Sequence, residues 1–311
     1  MPIRFDEQVV IVTGAGNGLG RSHALEFGRR GARVVVNDLG GARDGTGGSL
    51  SAAEEVVERI REEGGEAIAN GANVADFGQV EAMVGDALDR WGRVDVLVNN
   101  AGILRDKTFA KMDLADFSAV MEVHLTGSVN CTKAVWEAMR KRQYGRIVMT
   151  SSSSGIYGNF GQTNYGAAKM ALVGFMNSLA HEGRKYGIHV NALAPIAATR
   201  MTEDLMPENV LALLAPEAVT PAVVFMASEG APTRQIIAAG AGGFARVLIS
   251  ETQGVFLDAA QRDAEHVADA WQAISDPTSA VELDAGGDQT MKFLRQAAAE
   301  LGISLQPNDG D

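Results

Sequence analysis

Tyr165 and Lys169 stand four apart in Tyr165-Gly166-Ala167-Ala168-Lys169, so a helix through them puts both on one face, about one turn apart. Ser152 lies thirteen residues upstream, in the run Ser151-Ser152-Ser153-Ser154 that closes an apolar strand pattern. A phenol, an ammonium and a hydroxyl brought together can move a proton on or off an alcohol or a carbonyl. A free tyrosine titrates at ~10, too high for a base near neutrality. A lysine charge one helical turn away would favour the phenolate and lower that value. Taken alone, the same residues would also suit a surface pair beside a polar loop. A second signature in the same chain decides between the two.

That signature is Thr13-Gly14-Ala15-Gly16-Asn17-Gly18-Leu19-Gly20, which follows Val9-Val10-Ile11-Val12 and precedes an amphipathic stretch from Arg21 to Arg30. Strand, glycine turn and helix form the context that a dinucleotide-binding turn requires. Glycines let the backbone approach a pyrophosphate, and the helix start offers free N–H groups and partial positive charge. A further apolar run, Val34-Val35-Val36, ends at Asn37-Asp38. An acid at the end of the second strand can accept hydrogen bonds from an adenosine ribose and would repel a 2′-phosphate. Asn17, inside the turn, supplies no cation for that phosphate. The charge logic favours NAD over NADP.

This order of motifs resembles the short-chain dehydrogenase/reductase family, whose pattern is T-G-x-x-x-G-x-G, N-N-A-G, Ser and Y-x-x-x-K. Here it reads Thr13 to Gly20, Asn99-Asn100-Ala101-Gly102, Ser152 and Tyr165/Lys169. Within the family the chain is similar to the (3R)-hydroxyacyl-CoA dehydrogenase unit of type 2 peroxisomal multifunctional enzymes, also called 17β-hydroxysteroid dehydrogenase type 4. The stretches that carry this are Arg4-Phe5-Asp6, Val36 to Gly41, Gly102 to Asp106 and Gly155 to Gln162, and the likeness covers roughly residues 3 to 260.

The resemblance implies that Ser152 holds the substrate oxygen, Tyr165 exchanges its proton, and Lys169 lowers the tyrosine pKa and binds the nicotinamide ribose. It implies cofactor contacts for Gly14, Asn17, Gly18, Leu19 and Gly20 at the pyrophosphate, and for Asn99, Asn100, Ala101 and Gly102. The chain departs from the family pattern at three places. His124 stands where many members carry an asparagine credited with holding a water in the proton path, and is read as a substitute relay member. Pro195-Ile196 replaces P-G beside the nicotinamide carboxamide. Asn73-Val74 replaces Asp-Val beside the adenine, where asparagine can still hydrogen-bond.

The activity implied is NAD-dependent oxidation of a secondary alcohol, a (3R)-hydroxyacyl-CoA with straight-chain or steroid-derived acyl group. A hydroxysteroid dehydrogenase on free steroid, an NADPH-dependent 3-oxoacyl thioester reductase and a nonenzymatic dinucleotide sensor are the alternatives. Asp38 argues against the NADPH reductase. Intact Ser152, Tyr165 and Lys169 argue against the sensor. No metal-ligand set is read.

The elements that must position these residues alternate. Helices are expected near Ser51–Glu63, Gln79–Trp91, Asp116–Arg140 and Tyr165–Lys185, and strands at Val94–Val98, Arg146–Ser151 and Ile188–Ala194, the last ended by Pro195. Short apolar strands between helices predict an α/β fold: a Rossmann-type doubly wound parallel sheet, with ligands at the strand carboxyl ends. Residues 1–245 are read as the dinucleotide-binding core. Residues 246–311 are read as a C-terminal helical extension of the same domain, with helices at Val255–Gln272 and Thr290–Leu301. Gly40 to Gly48, with five glycines, reads as a mobile insertion. Met201 to Ala215, rich in Leu and Met, reads as an apolar flap for an acyl chain or sterol.

The chain has 311 residues, 46% of them hydrophobic, enough for a large core. A net charge of −12 speaks against nonspecific nucleic-acid or anionic-membrane binding. The single Cys131 suits a reducing compartment. No leader-like or membrane-length apolar run and no terminal Ser-Lys-Leu are read, so a cytoplasmic location is expected. Surplus apolar residues on the 116–140 and 165–185 helices predict a homodimer.

Overall fold

The short apolar runs become strands covered on both faces. Val9–Thr13 (β1), Arg33–Asn37 (β2), Val96–Asn99 (β4) and Gly145–Thr150 (β5) are buried almost throughout. That is why they read as unbroken Val/Ile runs rather than alternating ones. In this computed structural model residues 2–42, 44–197 and 211–305 are described. With Glu66–Asn70 (β3), Ile188–Ile196 (β6), Ile236–Gly240 (β7) and Gly243–Val247 (β8), the strands form one sheet in the order β3-β2-β1-β4-β5-β6-β7-β8. All neighbours pair in parallel except β8, which turns back antiparallel on β7, Ile236 facing Val247. The chain leaves β1 for β2 on one side and returns to β4 on the other. The carboxyl end of β1 is therefore the point where strand order reverses, the place where ligands bind in open sheets of this kind.

Helices Gly18–Arg29 (α1), Ser51–Glu62 (α2) and Phe77–Trp91 (α3) cross over between the first strands. Close helix approach explains one glycine. A Cβ on Gly28 would lie 2.9 Å from Ile60 Cγ2, so a larger residue would push α2 away from α1.

The helix expected over 116–140 is interrupted. It runs as Leu114–Met121 (α4), a π-helical turn at Glu122–Thr126, and Gly127–Arg142 (α5). The Gly127 N–H bonds back to the Glu122 carbonyl, and the Ser128 hydroxyl takes the His124 carbonyl at 2.7 Å. The widened turn carries His124, and such turns gather at functional sites. Ser153–Tyr157 (α6) is a short helix, and Thr163–Gly183 (α7) bears the Tyr/Lys pair. Thr220–Ala227 (α8) packs behind the sheet.

Pro195 does not end its strand. It lies inside β6, paired with Ala239 of β7, beyond the last β5 partner, Thr150 opposite Leu193. The missing N–H falls where β5 no longer needs a donor. The loop after β2 is not bare: Ala42 N bonds to Thr46 O at 2.7 Å, and Arg105 Nε bonds to the Asp44 carbonyl at 3.1 Å. Residues 201–210 of the Leu/Met-rich stretch lie outside the described residues.

The chain divides into two compact units, residues 1–247 and 248–311. In the second, Ser250–Glu251 (β9) pairs antiparallel with Val281–Glu282 (β10). Its helices are Ala264–Asp269 (α9), Trp271–Ile274 (α10) and Gly286–Leu301 (α11). The helix expected from Val255 therefore starts only at Ala264, where Asp263 caps it by accepting the His266 N–H at 2.8 Å. The helix expected from Thr290 opens earlier, at Gly286, and Asp288 reaches back to the Ala285 N–H at 2.9 Å. The Glu251 carboxylate bonds to Lys292 and Gln289, fastening β9 to α11. Among the described residues no helix is long and apolar enough to cross a membrane.

Candidate active site

The glycine turn after β1 is built from its neighbours. Thr13 Oγ1 accepts the N–H groups of Asn100 and Ala101 at 3.0 and 3.1 Å. The Asn100 amide donates to the carbonyls of Thr13 and Gly14 at 2.9 and 3.0 Å. Asn99 spends its amide on Thr132 Oγ1 at 3.2 Å. The Asn100 side chain thus braces the turn, while Asn99 ties the β4 end to α5 and β5.

A Cβ on Gly20 would sit 2.2 Å from the Gly14 carbonyl, and Gly14 itself has a φ of +62°, so these two positions need glycine. Helix α1 has no side chain capping its start and no acid in its first turn. Its free N–H groups and the positive end of its dipole face the glycine turn, as a pyrophosphate requires. The residues present therefore fit a dinucleotide. Asn17 is the cap position of this helix and Gly18 opens it, three residues before the expected start at Arg21.

Asp38, at the end of β2, accepts the Gly16 N–H on Oδ2 and the Gly40 N–H on Oδ1, both at 2.7 Å. A side chain on Gly16 would collide with that carboxylate at 2.8 Å. Of the residues expected beside the adenine, Asn73 accepts the Ala75 N–H on Oδ1 at 3.0 Å, and Val74 is buried. Ile196, at the far end of β6, is 51% exposed.

Ser152, Tyr165 and Lys169 come together. Ser152 lies two residues past the end of β5 and caps α6, its Oγ accepting the Ser154 N–H at 3.2 Å. Its hydroxyl is near enough to the Tyr165 phenol to favour the phenolate. Ser151 Oγ donates to the Lys169 carbonyl at 2.8 Å, pinning α7 against the strand end. Lys169 is 3% exposed, and its Nζ donates to the Thr150 carbonyl at 2.6 Å while lying 5.4 Å from the Tyr165 ring centre.

Burial lowers the Lys169 pKa to about 7. It also raises the Tyr165 pKa; Ser152 opposes that rise and the Asp106 charge adds to it. The expected downward pull of lysine on tyrosine is thus overturned in the free protein. Desolvation outweighs it, because a lysine that itself sheds its charge near neutrality is a weak perturber.

His124 is 2% exposed and crosses the Tyr165 ring edge-on, with centres 5.3 Å apart. Its Nε2 lies 2.9 Å from the Ile103 carbonyl and 3.1 Å from the Ile103 N–H, the engagement depending on tautomer. Nδ1 has no hydrogen-bond partner among the described residues. Burial and the neighbouring Lys169 charge hold its pKa well below the usual histidine value, so the ring is neutral. Gly102 makes room for it: a Cβ there would lie 2.3 Å from His124 Cε1.

Four participants escaped the sequence reading. Thr150 anchors Lys169 through its carbonyl, which no side-chain pattern reveals. Gln162, Asp106 and Ser154 form a hydrogen-bonded chain beside Ser152: Ser154 Oγ donates to Gln162 Oε1 at 2.8 Å, and Gln162 Nε2 donates to Asp106 Oδ2 at 2.6 Å. All three lie in or beside stretches that carried the resemblance, but none had an assigned role. Among the described residues no cluster of His, Cys, Asp or Glu has metal-binding geometry.

The model of the short chain dehydrogenase family matches residues 8–209. A protein named as a short-chain type dehydrogenase/reductase of Mycobacterium tuberculosis is 49% identical over 88% of this chain and 96% of its own length. The peroxisomal multifunctional enzyme type 2 of Mus musculus is 48% identical over 90% of this chain. This chain spans 38% of that enzyme, and 65% of the peroxisomal multifunctional enzyme A of Dictyostelium discoideum. The full-length peroxisomal multifunctional enzyme type 2 of Drosophila melanogaster superposes with a TM-score of 0.79 at 36% identity, covering 96% of this chain and 51% of that one.

Proposed function

The chain belongs to the short-chain dehydrogenase family, and on that premise we propose that it oxidises the C3 hydroxyl of a (3R)-hydroxyacyl-CoA to a ketone with NAD. The convergence of Ser152, Tyr165 and Lys169 beside the glycine turn carries the reading. Relatives named as multifunctional enzymes, matched over about nine-tenths of this chain, support the acyl-CoA substrate. A bound nicotinamide supplies the hydride acceptor.

Ser152 donates its hydroxyl hydrogen to the substrate oxygen and fixes the carbinol carbon. Tyr165 receives the hydroxyl proton as the C–H electron pair leaves. Burial keeps the free phenol protonated, so its own proton must first depart. Lys169, titrating near about 7, and the neutral His124 ring, with Nδ1 unengaged by protein, are the groups at hand to take it onward. Glycine turn, α1 start and Asp38 would hold the pyrophosphate and ribose. Asn73 and Val74 would flank the adenine, and Ile196 the carboxamide.

Asp38 supports NAD over NADP. An NADPH-dependent 3-oxoacyl reductase would need to place a 2′-phosphate against this carboxylate. Bulky and steroid-derived acyl groups belong to the reading, as do a homodimer formed through α5 and α7 and a cytoplasmic site of action. Val129 and Met170, apolar and exposed on those helices, support the pairing. Residues 246–311 are taken as an extension of the same domain.

The test is a matched pair, CoA thioester against free 3-hydroxy acid, with NAD in excess. Remote binding energy from the CoA can position the reacting carbon. The thioester is expected to give the higher kcat/KM. A higher value for the free acid would overturn the thioester reading and leave the dehydrogenase.

A further inference from the structure

We propose that Gln162 is a substrate-recognition residue that donates an amide N–H to the C1 carbonyl of a 3-hydroxyacyl thioester, and that Asp106 is the positioning residue that sets its orientation. The inference deepens the function proposed above and rests on it.

Gln162 is the cap residue of α7, three residues before Tyr165, yet its side chain makes no helix-capping bond. It turns instead toward α6 and the segment after β4. Its Oε1 accepts two donors, Ser154 Oγ at 2.8 Å and Asn159 Nδ2 at 3.0 Å. Its Nε2 donates one hydrogen to Asp106 Oδ2 at 2.6 Å. A carboxylate only accepts, so it forces the NH2 end of the amide to its own side. With that end fixed, one N–H remains beyond the bond to Asp106. Gln162 is also only one link from the catalytic hydroxyl, because Ser154 N donates to Ser152 Oγ at 3.2 Å.

The substrate makes a demand that the Ser/Tyr/Lys trio does not meet. A 3-hydroxyacyl thioester carries a second oxygen, on C1, two carbons from the reacting centre. With the C3 oxygen on Ser152 and Tyr165, the C1 carbonyl needs a donor on the neighbouring wall. The Ser154 hydroxyl proton is already committed to Gln162, and Asn159 also turns a donor toward it. The remaining Gln162 N–H is a neutral donor of this cluster, and a carboxylate fixes the side on which it lies.

Asp106 adds discrimination. Its exposed carboxylate lies 2.6 Å from the amide nitrogen that, on this proposal, would hold the C1 oxygen. A neutral thioester carbonyl tolerates that charge, whereas the carboxylate of a free 3-hydroxy acid is repelled. The same pair would therefore select a β-carbonyl over a plain secondary alcohol, and a thioester over an acid.

The experiment uses the full chain with NAD and two substrates: a (3R)-3-hydroxyacyl-CoA and its thioether analogue, in which a methylene replaces C1=O. Gln162→Met keeps the length of the side chain and removes the amide. It is expected to lower kcat/KM for the thioester by roughly tenfold or more, the worth of a hydrogen bond of this kind, with the thioether rate falling far less. Asp106→Asn, at an exposed position, is expected to narrow the thioester-to-thioether ratio in the same direction and to improve the free acid relative to the thioester.

A merely structural role would depress both substrates equally and leave the ratio unchanged in both variants, and that result would overturn the inference. If Gln162→Met does not fold, Asp106→Asn alone decides on the same ratio. Absence of thioester oxidation by the wild-type protein would sink the proposed function and this inference with it. Oxidation with an unmoved ratio sinks the inference alone.

Discussion

Asp38 accepts the Gly16 N–H at 2.7 Å, so the acid at the end of β2 also fastens the glycine turn after β1. One carboxylate thereby shapes the glycine turn and, on the proposed NAD reading, would also repel a 2′-phosphate. Asp38→Ala should lose both effects: preference for NAD over NADP falls, and KM for NAD rises. Asp38→Asn keeps an acceptor for the turn and removes the charge, so it should relax the preference with a smaller rise in KM. Initial rates with both cofactors check this. A wild-type preference for NADP would refute the assignment of Asp38.

Tyr165→Phe keeps the ring against His124 and removes the proton-transfer group. General acid–base catalysis contributes about 10²–10⁴-fold. Turnover should fall at least that far while NAD binding, measured by calorimetry, stays within a few-fold of wild type. Near-normal turnover would remove Tyr165 from the reaction.

Lys169 gives the free protein a signature in its pH-stability curve. Burial holds its pKa at about 7, against ~10.4 for an unfolded lysine. Between those values the unfolded chain binds one proton more than the folded one, so this residue's contribution to stability rises with pH. Below about 7 both states are protonated and that contribution is gone. Lys169→Met should flatten the rise in denaturation midpoint between neutrality and the alkaline limit. Parallel curves for the two proteins would mean that the buried ammonium is not strongly desolvated.

Gly102→Ala should disturb the site without replacing a reacting group. The added methyl would stand 2.3 Å from the ring of His124, which is buried and cannot retreat to solvent. Overpacking of this kind costs about 1–3 kcal/mol. A drop in stability of that size with loss of turnover is expected. Unchanged stability would show that the histidine moves freely.

The α/β fold was readable because both-face burial writes itself as apolar runs, and because the glycine turn and the Tyr/Lys spacing fix where two helices begin. Other features carry no such mark. The π-turn around His124 leaves the helical apolar pattern intact, so the sequence reads through it. β7 and β8 hold Ala, Gly and exposed residues, a weak strand signal, and went unread. In 255–263 the apolar residues suggest a helix, yet the helix waits for the Asp263 cap. Within the site, residue types gave Ser152, Tyr165, Lys169 and Asp38. Main-chain roles, such as the Thr150 carbonyl on Lys169, and the bracing of the turn by Asn100 depend on tertiary contacts that no residue type encodes.

The most direct test of the central claim is the initial rate of nicotinamide reduction by the purified chain, with (3R)- and (3S)-hydroxyacyl-CoA each offered NAD and NADP. The expected result is fast turnover of the (3R) thioester with NAD, abolished to within the ~10²–10⁴-fold window by Tyr165→Phe. Faster turnover of the (3S) thioester, or of either thioester with NADP, would contradict it.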